Sequence, residues 1–322
     1  MIRKLCIAAT AMLAVAAGVA VTAQQANAAS GFYISGGKLY DANNKAFVMR
    51  GVNHAFIWFQ GRNSSFADIK RAGANTVRVV IDQGTSAATA KTAVTQCKNN
   101  KLVCVLEIHS TTGYSAGNGK ITLSQAADVW VKIKSAVQGQ EKYVIVNLGN
   151  EPYSSSTDTA WISQTKNAIS KLRNAGISNT LMADAPGWGQ DGSNLMRNNA
   201  SSVFNSDPSR NVIFSVHMYG TYGSSSKVTS YLNYFADNKL PLVVGEFGHK
   251  HSGVTVAVDS ILSTAQSRGI GWLAWSWCGN GGDDKILDMT NNWNANSLTT
   301  WGKRVVNGTN GLKATSKQAS VY

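Results

Sequence analysis

Little in this sequence would staple the chain, split it or pass it through a membrane more than once. Four prolines in 322 residues, with no Pro- or Ser-rich stretch dividing the chain, leave no mark of a linker or an appended module. Cysteine is sparse. Of four, Cys6 falls in the opening segment, so Cys97, Cys104 and Cys278 remain, too few for a disulfide scaffold. Acid is scarce as well, 17 Asp and Glu against 30 Lys and Arg for a formal net charge of +13. The basic residues nevertheless stand singly, and beyond the start only Lys70-Arg71 and Lys303-Arg304 are adjacent. Such a scatter argues against a nucleic-acid stripe. No apolar run after the opening segment is long enough to span a bilayer.

The opening segment itself is distinctive. Arg3 and Lys4 precede an apolar stretch over residues 5–21, and Ala26-Asn27-Ala28 follows as a small-residue cleavage site, the order of a secretory leader. A membrane anchor is the competing reading, disfavoured by the Ala-rich run and the Ala-x-Ala site. The expected division is therefore a signal peptide over 1–28 and one domain over 29–322, secreted and extracellular. Loss of Arg3 and Lys4 takes the charge from +13 to +11. In an oxidising compartment the short return from a helix end at Cys97 to a strand at Cys104 predicts a Cys97–Cys104 disulfide, with Cys278 free.

After a hairpin pattern around Ser35-Gly36-Gly37, short apolar runs alternate with amphipathic stretches. The runs at 47–52, 76–81, 102–108, 143–148, 180–183, 212–216, 242–244 and 272–275 read as strands. Patterns such as 66–73, 126–137, 161–172 and 254–265 read as helices, several ending in Gly or Asn. Strands that are continuously apolar are buried on both faces, as in parallel sheets. Eight such units in a chain of this length predict an α/β fold, a (β/α)8 TIM barrel with a short N-terminal β-hairpin. An open doubly wound sheet is the alternative, but no Gly-rich phosphate turn follows the first strand.

Two acidic motifs then stand out, Asn150-Glu151-Pro152 and Gly245-Glu246-Phe247-Gly248, each at the end of an expected strand. Barrel enzymes keep their chemistry at that rim. Two carboxylates delivered there suit glycoside hydrolysis, one to protonate the leaving oxygen and one to attack or to activate water. Asn53 and His54, Arg78, His109, Trp188 and Asp191, His217 and Tyr219, His249, Trp275 and Trp277 fall at other strand ends. All five histidines of the chain sit in such places, so one functional rim is expected.

With Leu148-Gly149-Asn150-Glu151-Pro152-Tyr153, His217-Met218-Tyr219-Gly220, Gly245-Glu246-Phe247-Gly248-His249 and Trp188-Gly189-Gln190-Asp191, the chain resembles the bacterial endo-β-1,4-mannanases of glycoside hydrolase family 5. The similarity runs over residues from Gly31 to the C-terminal region. It implies Glu151 as acid/base, its pKa raised by burial and by Glu246. Glu246 would be the nucleophile, held ionised by hydrogen bonds and by a cation such as Arg78; a structural ion pair at the other barrel face is the rival use of that arginine. Asn150 is expected on the sugar 2-hydroxyl, Tyr219 as a donor to Glu246, and His217 and His109 as positioning groups, though a histidine satisfied structurally is as natural at position 109. Trp275 resembles the aromatic floor beneath the cleaved sugar, with Trp272 as a core neighbour. Trp58, Trp188 and Trp277 are candidates for stacking on sugar faces, each with a core alternative.

The resemblance implies a retaining endo-β-1,4-mannanase acting on mannan, glucomannan or galactomannan without cofactor or metal. Its partner is the β-mannan polysaccharide, with no nucleic acid and no membrane after leader cleavage, and the protein is expected to be a monomer. Asp283, Asp284 and Asp288 lack the spacing of a calcium loop. An endo-β-1,4-glucanase uses the same machinery and is the alternative; a barrel that binds polysaccharide without cleaving it is the rival of another class.

Overall fold

A computed structural model describes residues 31–116 and 120–322; the expected signal peptide lies outside them. Among the described residues, three short antiparallel pairs decorate one closed sheet. The first is the expected hairpin of β1 (Tyr33–Ser35) and β2 (Lys38–Tyr40). The sheet comprises β3 (Arg50–His54), β4 (Thr76–Ile81), β5 (Val103–Ile108), β6 (Val144–Asn147), β7 (Leu181–Asp184), β8 (Val212–Met218) and β9 (Leu242–Phe247). A pair formed by β10 (Lys250–His251) and β11 (Val254–Thr255) precedes the last barrel strand, β12 (Gly271–Ala274), and β13 (Thr290–Asn291) pairs with β14 (Asn294–Leu298). The barrel closes in the order β12-β3-β4-β5-β6-β7-β8-β9, parallel throughout.

Outside the barrel run α1 (Ser64–Arg71), α2 (Ala87–Asn99), α3 (Leu123–Ile133), α4 (Ala160–Asn174), α5 (Leu195–Ser206), α6 (Ser225–Asp237), α7 (Val258–Arg268), α8 (Thr300–Asn307) and α9 (Leu312–Thr315). Their starts follow local chemistry. Ser86, Ser224 and Thr299 accept backbone N–H bonds at the first turns of α2, α6 and α8, and Thr122 with Gln125 forms a capping box on α3, satisfying donors that a helix start leaves free. No helix among the described residues is long and apolar enough to cross a membrane.

Alternation along each strand sorts the barrel into layers. Outward residues such as Cys104, Leu106, Val144, Val146, Phe214 and Val216 join the core beneath the helices. Inward residues at the strand starts, Val103, Val105, Ile145, Met182, Ile213, Val243 and Leu273, form a second core, closed below by Phe32, Leu39 and Phe47. The N-terminal hairpin is thus a plug. One pleat further along the strands the inward positions turn polar, with Arg78, Glu107, Asn147, Asp184 and His217, all buried. The barrel is apolar at its lower end and charged at its upper end, which places the chemistry.

Several expectations shift in detail. The first barrel strand begins at Arg50, because Phe47 belongs to the plug. The stretch 254–265 divides, its first residues pairing in β11 while α7 starts at Val258. The Cys97–Cys104 disulfide is not formed. Both are free, buried thiols, Cys97 in the last turn of α2 and Cys104 in β5, where apolar packing between helix and strand holds them without a covalent link. Cys278 is free and buried, as expected.

Candidate active site

A bulge aims one of the two glutamates. Strict alternation along β9 would turn Glu246 away from Val243, out of the barrel. The register between β8 and β9 slips, however, so that Val216 pairs with Val244 but His217 pairs with Glu246, leaving Gly245 as an extra residue. Only glycine fits there, since a Cβ would lie 2.1 Å from Ser215 Oγ. The slip turns Glu246 inward beside His217.

Arg78, from the middle of β4, receives it. Nη1 donates to Glu246 Oε1 at 2.7 Å and to Asn53 Oδ1 at 3.0 Å, Nη2 to Asn150 Oδ1 at 2.7 Å and Asp184 Oδ2 at 3.1 Å, and Nε to Asn147 Oδ1 at 2.9 Å. Glu107 lies 3.7 Å away. A buried guanidinium is tolerable only when so fully paired; burial pulls its pKa down, but Glu107, Asp184 and Glu246 together raise it. The other oxygen of Glu246 accepts from Tyr219 Oη at 2.8 Å.

Glu151 follows β6 in a tight turn, at φ 40°, with its N–H donating to Asp184 Oδ2 at 3.3 Å. Its Oε1 lies 2.8 Å from Nδ1 of His217, whose Nε2 is 3.3 Å from Asp184 Oδ2. Burial raises the Glu151 carboxyl above the usual range; His217 pulls it back and the charge of Glu246 pushes it up again. Burial would lower the His217 imidazolium, but Glu246 and Asp184 carry it up to about 10. Asp184, raised by burial, is drawn down to about 2 by Arg78 and His217. One oxygen of Glu151, one of Glu246 and a nitrogen of His217 lie within 4.8 Å of one another. This triad has ligand spacing, yet the Arg78 guanidinium and the His217 imidazolium already supply its positive charge.

The two glutamates open into a pocket of about 410 Å³ lined also by His109, Asn150, Trp188, Gln190, Tyr219, His251, Trp275, Asp284 and Leu287. His109 bonds Glu107 Oε1 at 3.0 Å and lies parallel to Trp275 at 6.1 Å between centroids; burial lowers its pKa but Glu107 raises it overall. Trp275 is tethered through Nε1 to Asn280 Oδ1 at 2.8 Å. Trp188 is 39% and Trp58 55% exposed, and Trp58 meets the edge of His109. Large aromatic rings left in water beside a cleft suit sugar faces.

Of the residues singled out in the sequence, Arg78, His109, Asn150, Glu151, His217, Tyr219, Glu246, Trp275 and Trp188 converge here, with Trp58 at the margin. Trp277 does not. It is buried in the helix-side core, although Trp275 two residues before it lines the cleft. His54 is buried against Phe66 and Trp293, and His249 packs on Trp301. Sequence reasoning missed Asp184 and Glu107, although an acid inside an apolar strand is a signal for a buried cation, and it missed Asp284 and Leu287 as lining, which carry no local signal; His251, counted among the rim histidines, does line the cleft.

Comparison with known proteins adds to this geometry. Residues 40–281 match the cellulase family, glycosyl hydrolase family 5. A mannan endo-1,4-beta-mannosidase of Streptomyces lividans is 53% identical over 301 residues, spanning 92% of this chain and 78% of that protein. The mannohexaose complex of Thermomonospora fusca beta-mannanase superposes with a TM-score of 0.87 at 45% identity, covering 90% of this chain and 99% of that one. A beta-mannanase/endoglucanase A of Caldicellulosiruptor saccharolyticus is 44% identical over 260 residues, 79% of this chain and 20% of that protein.

Proposed function

The chain belongs to glycosyl hydrolase family 5, and from that membership we infer its activity and the work of its residues: it is an endo-β-1,4-mannanase that hydrolyses internal bonds of mannan with retention. The single observation that carries the retaining mechanism is the approach of Glu151 and Glu246 within 4.8 Å, oxygen to oxygen. Retaining enzymes hold their carboxyl groups about 5–5.5 Å apart, whereas inverting ones leave about 6.5–9.5 Å for a water.

The environments support different tasks for the two acids. Glu246, bonded by Arg78 and Tyr219, is the nucleophile: its carboxylate attacks the anomeric carbon, the glycosidic C–O bond breaks, and a glycosyl-enzyme forms. Glu151, its pKa raised by burial and by Glu246, gives its proton to the departing oxygen. It then accepts a proton from the water that releases the sugar and regenerates Glu246. As negative charge leaves Glu246 on glycosylation, the Glu151 pKa falls, which suits its change from acid to base. Asn150, oriented by Arg78 and by its bond to Thr112 Oγ1 at 2.9 Å, is assigned to the 2-hydroxyl, Trp275 to the floor under the cleaved sugar, and Trp188 and Trp58 to sugars on either side. His217 and His109 are positioning groups. The leader read over 1–28 supports secretion to the extracellular medium, and a monomer suffices because one chain supplies every one of these residues.

Two substitutions separate the roles. Glu246→Ala removes the nucleophile, so even a substrate with an excellent leaving group stays intact. Glu151→Ala on an activated aryl mannoside still forms the covalent intermediate and stalls; azide, which needs no base, releases a glycosyl azide of retained configuration. Azide rescue of Glu246→Ala with retention, and none of Glu151→Ala, would exchange the two roles. The relative with both mannanase and endoglucanase in its name makes β-1,4-glucan the second substrate to assay, on carboxymethyl cellulose beside galactomannan and glucomannan.

A further inference from the structure

The turn that delivers Trp188 is held in a conformation most sequences avoid. Gly187, Trp188 and Gly189 all have positive φ, at 68°, 56° and 71°, a region that glycine alone enters freely. A Cβ at Gly187 would lie 2.6 Å from Ser156 Cβ, and one at Gly189 would lie 2.6 Å from Cγ of His217. The backbone is pinned from several sides. The N–H groups of Gly187 and Trp188 donate to Tyr153 O at 2.9 and 3.1 Å, and His217 N–H donates to Gly189 O at 2.7 Å. Tyr222 Oη donates to Gln190 O and Thr221 N–H to Gln190 Oε1. The buried Asp191 ends the turn, accepting from the N–H groups of Met196 and Arg197 and from Tyr231 Oη. So braced, the turn cannot slide, and the freedom left to Trp188 is in its own side-chain torsions.

The outer edge of that ring meets Gly113, from the loop after β5. A Cβ there would lie 2.3 Å from Trp188 Cη2 and 2.4 Å from Cζ3, distances at which the ring has to move. Gly113 has φ 56°, and its N–H donates to Glu151 O at 2.9 Å. Ring, glycine and the Glu151 turn are therefore one packed unit, and Trp188 stands on the acid/base side of the cleft, where the leaving half of the chain departs.

We propose that Gly113 is a positioning residue which, by presenting no side chain, keeps open the space that the Trp188 ring occupies and so sets the sugar platform on the leaving-group side of the scissile bond. This rests on Glu151 being the acid/base. Gly113 itself touches no substrate; it acts through the ring.

The test is a double-mutant cycle on Gly113→Ala and Trp188→Ala with two substrates. Mannohexaose places sugars on both sides of the cleaved bond, whereas β-mannobiosyl fluoride leaves nothing but fluoride on the Glu151 side. Each single variant should raise KM for mannohexaose about tenfold, the scale of a lost aromatic contact, and should lower kcat/KM on the fluoride by a clearly smaller factor. On KM for mannohexaose the double variant should be no worse than Trp188→Ala alone, because without the ring the added methyl has no platform to displace, and the strain of alanine at φ 56° is common to both Gly113 variants and reads out in stability. Its unfolding midpoint should also come closer to that of Trp188→Ala than Gly113→Ala comes to the parent. Independent effects that multiply in the double variant would overturn the proposal, and so would a Gly113→Ala enzyme slowed equally on the fluoride, the mark of a disturbed Glu151. If Trp188→Ala binds mannohexaose like the parent, the platform is absent and the proposal falls, while the assignment of the two glutamates stands on its own azide test.

Discussion

Replacing Arg78 by Lys keeps the charge and removes the fork. In the parent, the three guanidinium nitrogens reach Asn147, Asn53, Glu246, Asn150 and Asp184 in five bonds, all buried. A single ammonium cannot span these directions, so at least two buried acceptors lose their donor. At about 1–3 kcal/mol for each group left unsatisfied, more where it is charged, the expected loss of stability is about 3–5 kcal/mol. That is a large part of the roughly 5–15 kcal/mol that holds a domain of ordinary stability together. The catalytic effect is separate: Glu246 keeps its Tyr219 bond but loses the contact that aims its second oxygen, and kcat should fall about 10²–10³-fold, equivalent to about 2.7–4 kcal/mol. KM for mannohexaose should move little, since Arg78 is fully buried and lies behind the pocket wall. Urea unfolding followed by tryptophan fluorescence measures the first loss, and steady-state kinetics below the onset of unfolding measures the second. A variant that unfolds within about 1 kcal/mol of the parent would refute the claim that the fork satisfies the layer beneath the rim, and unchanged kcat would refute its role in aiming Glu246.

Other outcomes follow from the same network. The Asp184 carboxyl is held down to about 2 from an ordinary value of 3.8, so its contribution is present above about pH 4 and is lost as pH falls through about 2; Asp184→Asn should be less stable at neutral pH and show a shallower loss across that window in acid unfolding. The His217 imidazolium, raised to about 10 from 6.5, contributes stability fully below about pH 6.5 that disappears as pH rises through about 10; His217→Asn should remove that alkaline dependence in urea titrations run at several pH values. Because His217 also lowers the Glu151 pKa, the same variant should move the alkaline limb of its kcat/KM profile to higher pH, and a shift to lower pH would contradict the pairing.

Glu151 and Glu246 were legible because each ends a short apolar run, and a polar residue after a buried parallel strand has few places to go except the rim. The eight strands were legible for the same reason, their β-branched runs being too short for helices and too apolar for an exposed sheet. Arg78 was legible because a guanidinium amid Val77, Val79 and Val80 has to find carboxylates. Its actual partners were not. Asp184, Glu107 and Asn147 reach it from three other strands, and only the shear of the closed barrel brings those positions into one layer.

The sequence by itself therefore determined the periodicities, the strand ends and the kinds of side chain available there, since these depend on neighbours a few residues apart. It did not determine which way Glu246 points. Alternation sends it outward, and the turn inward comes from a bulge at Gly245, visible only where β8 and β9 are laid side by side. The fates of the tryptophans were decided in the same way. Trp275 follows the alternation set by Leu273 into the cleft and is tied to Asn280, Trp277 two residues on breaks it and is buried on the helix side, and Trp188 is held out in water by glycines at both sides and a third across the loop. Whether Cys97 and Cys104 bridge was also beyond the local pattern, because nearness in sequence brings two thiols together without setting the angles that a disulfide needs. Chemistry of this kind lies in contacts between distant segments, and their geometry exists only once the barrel has closed.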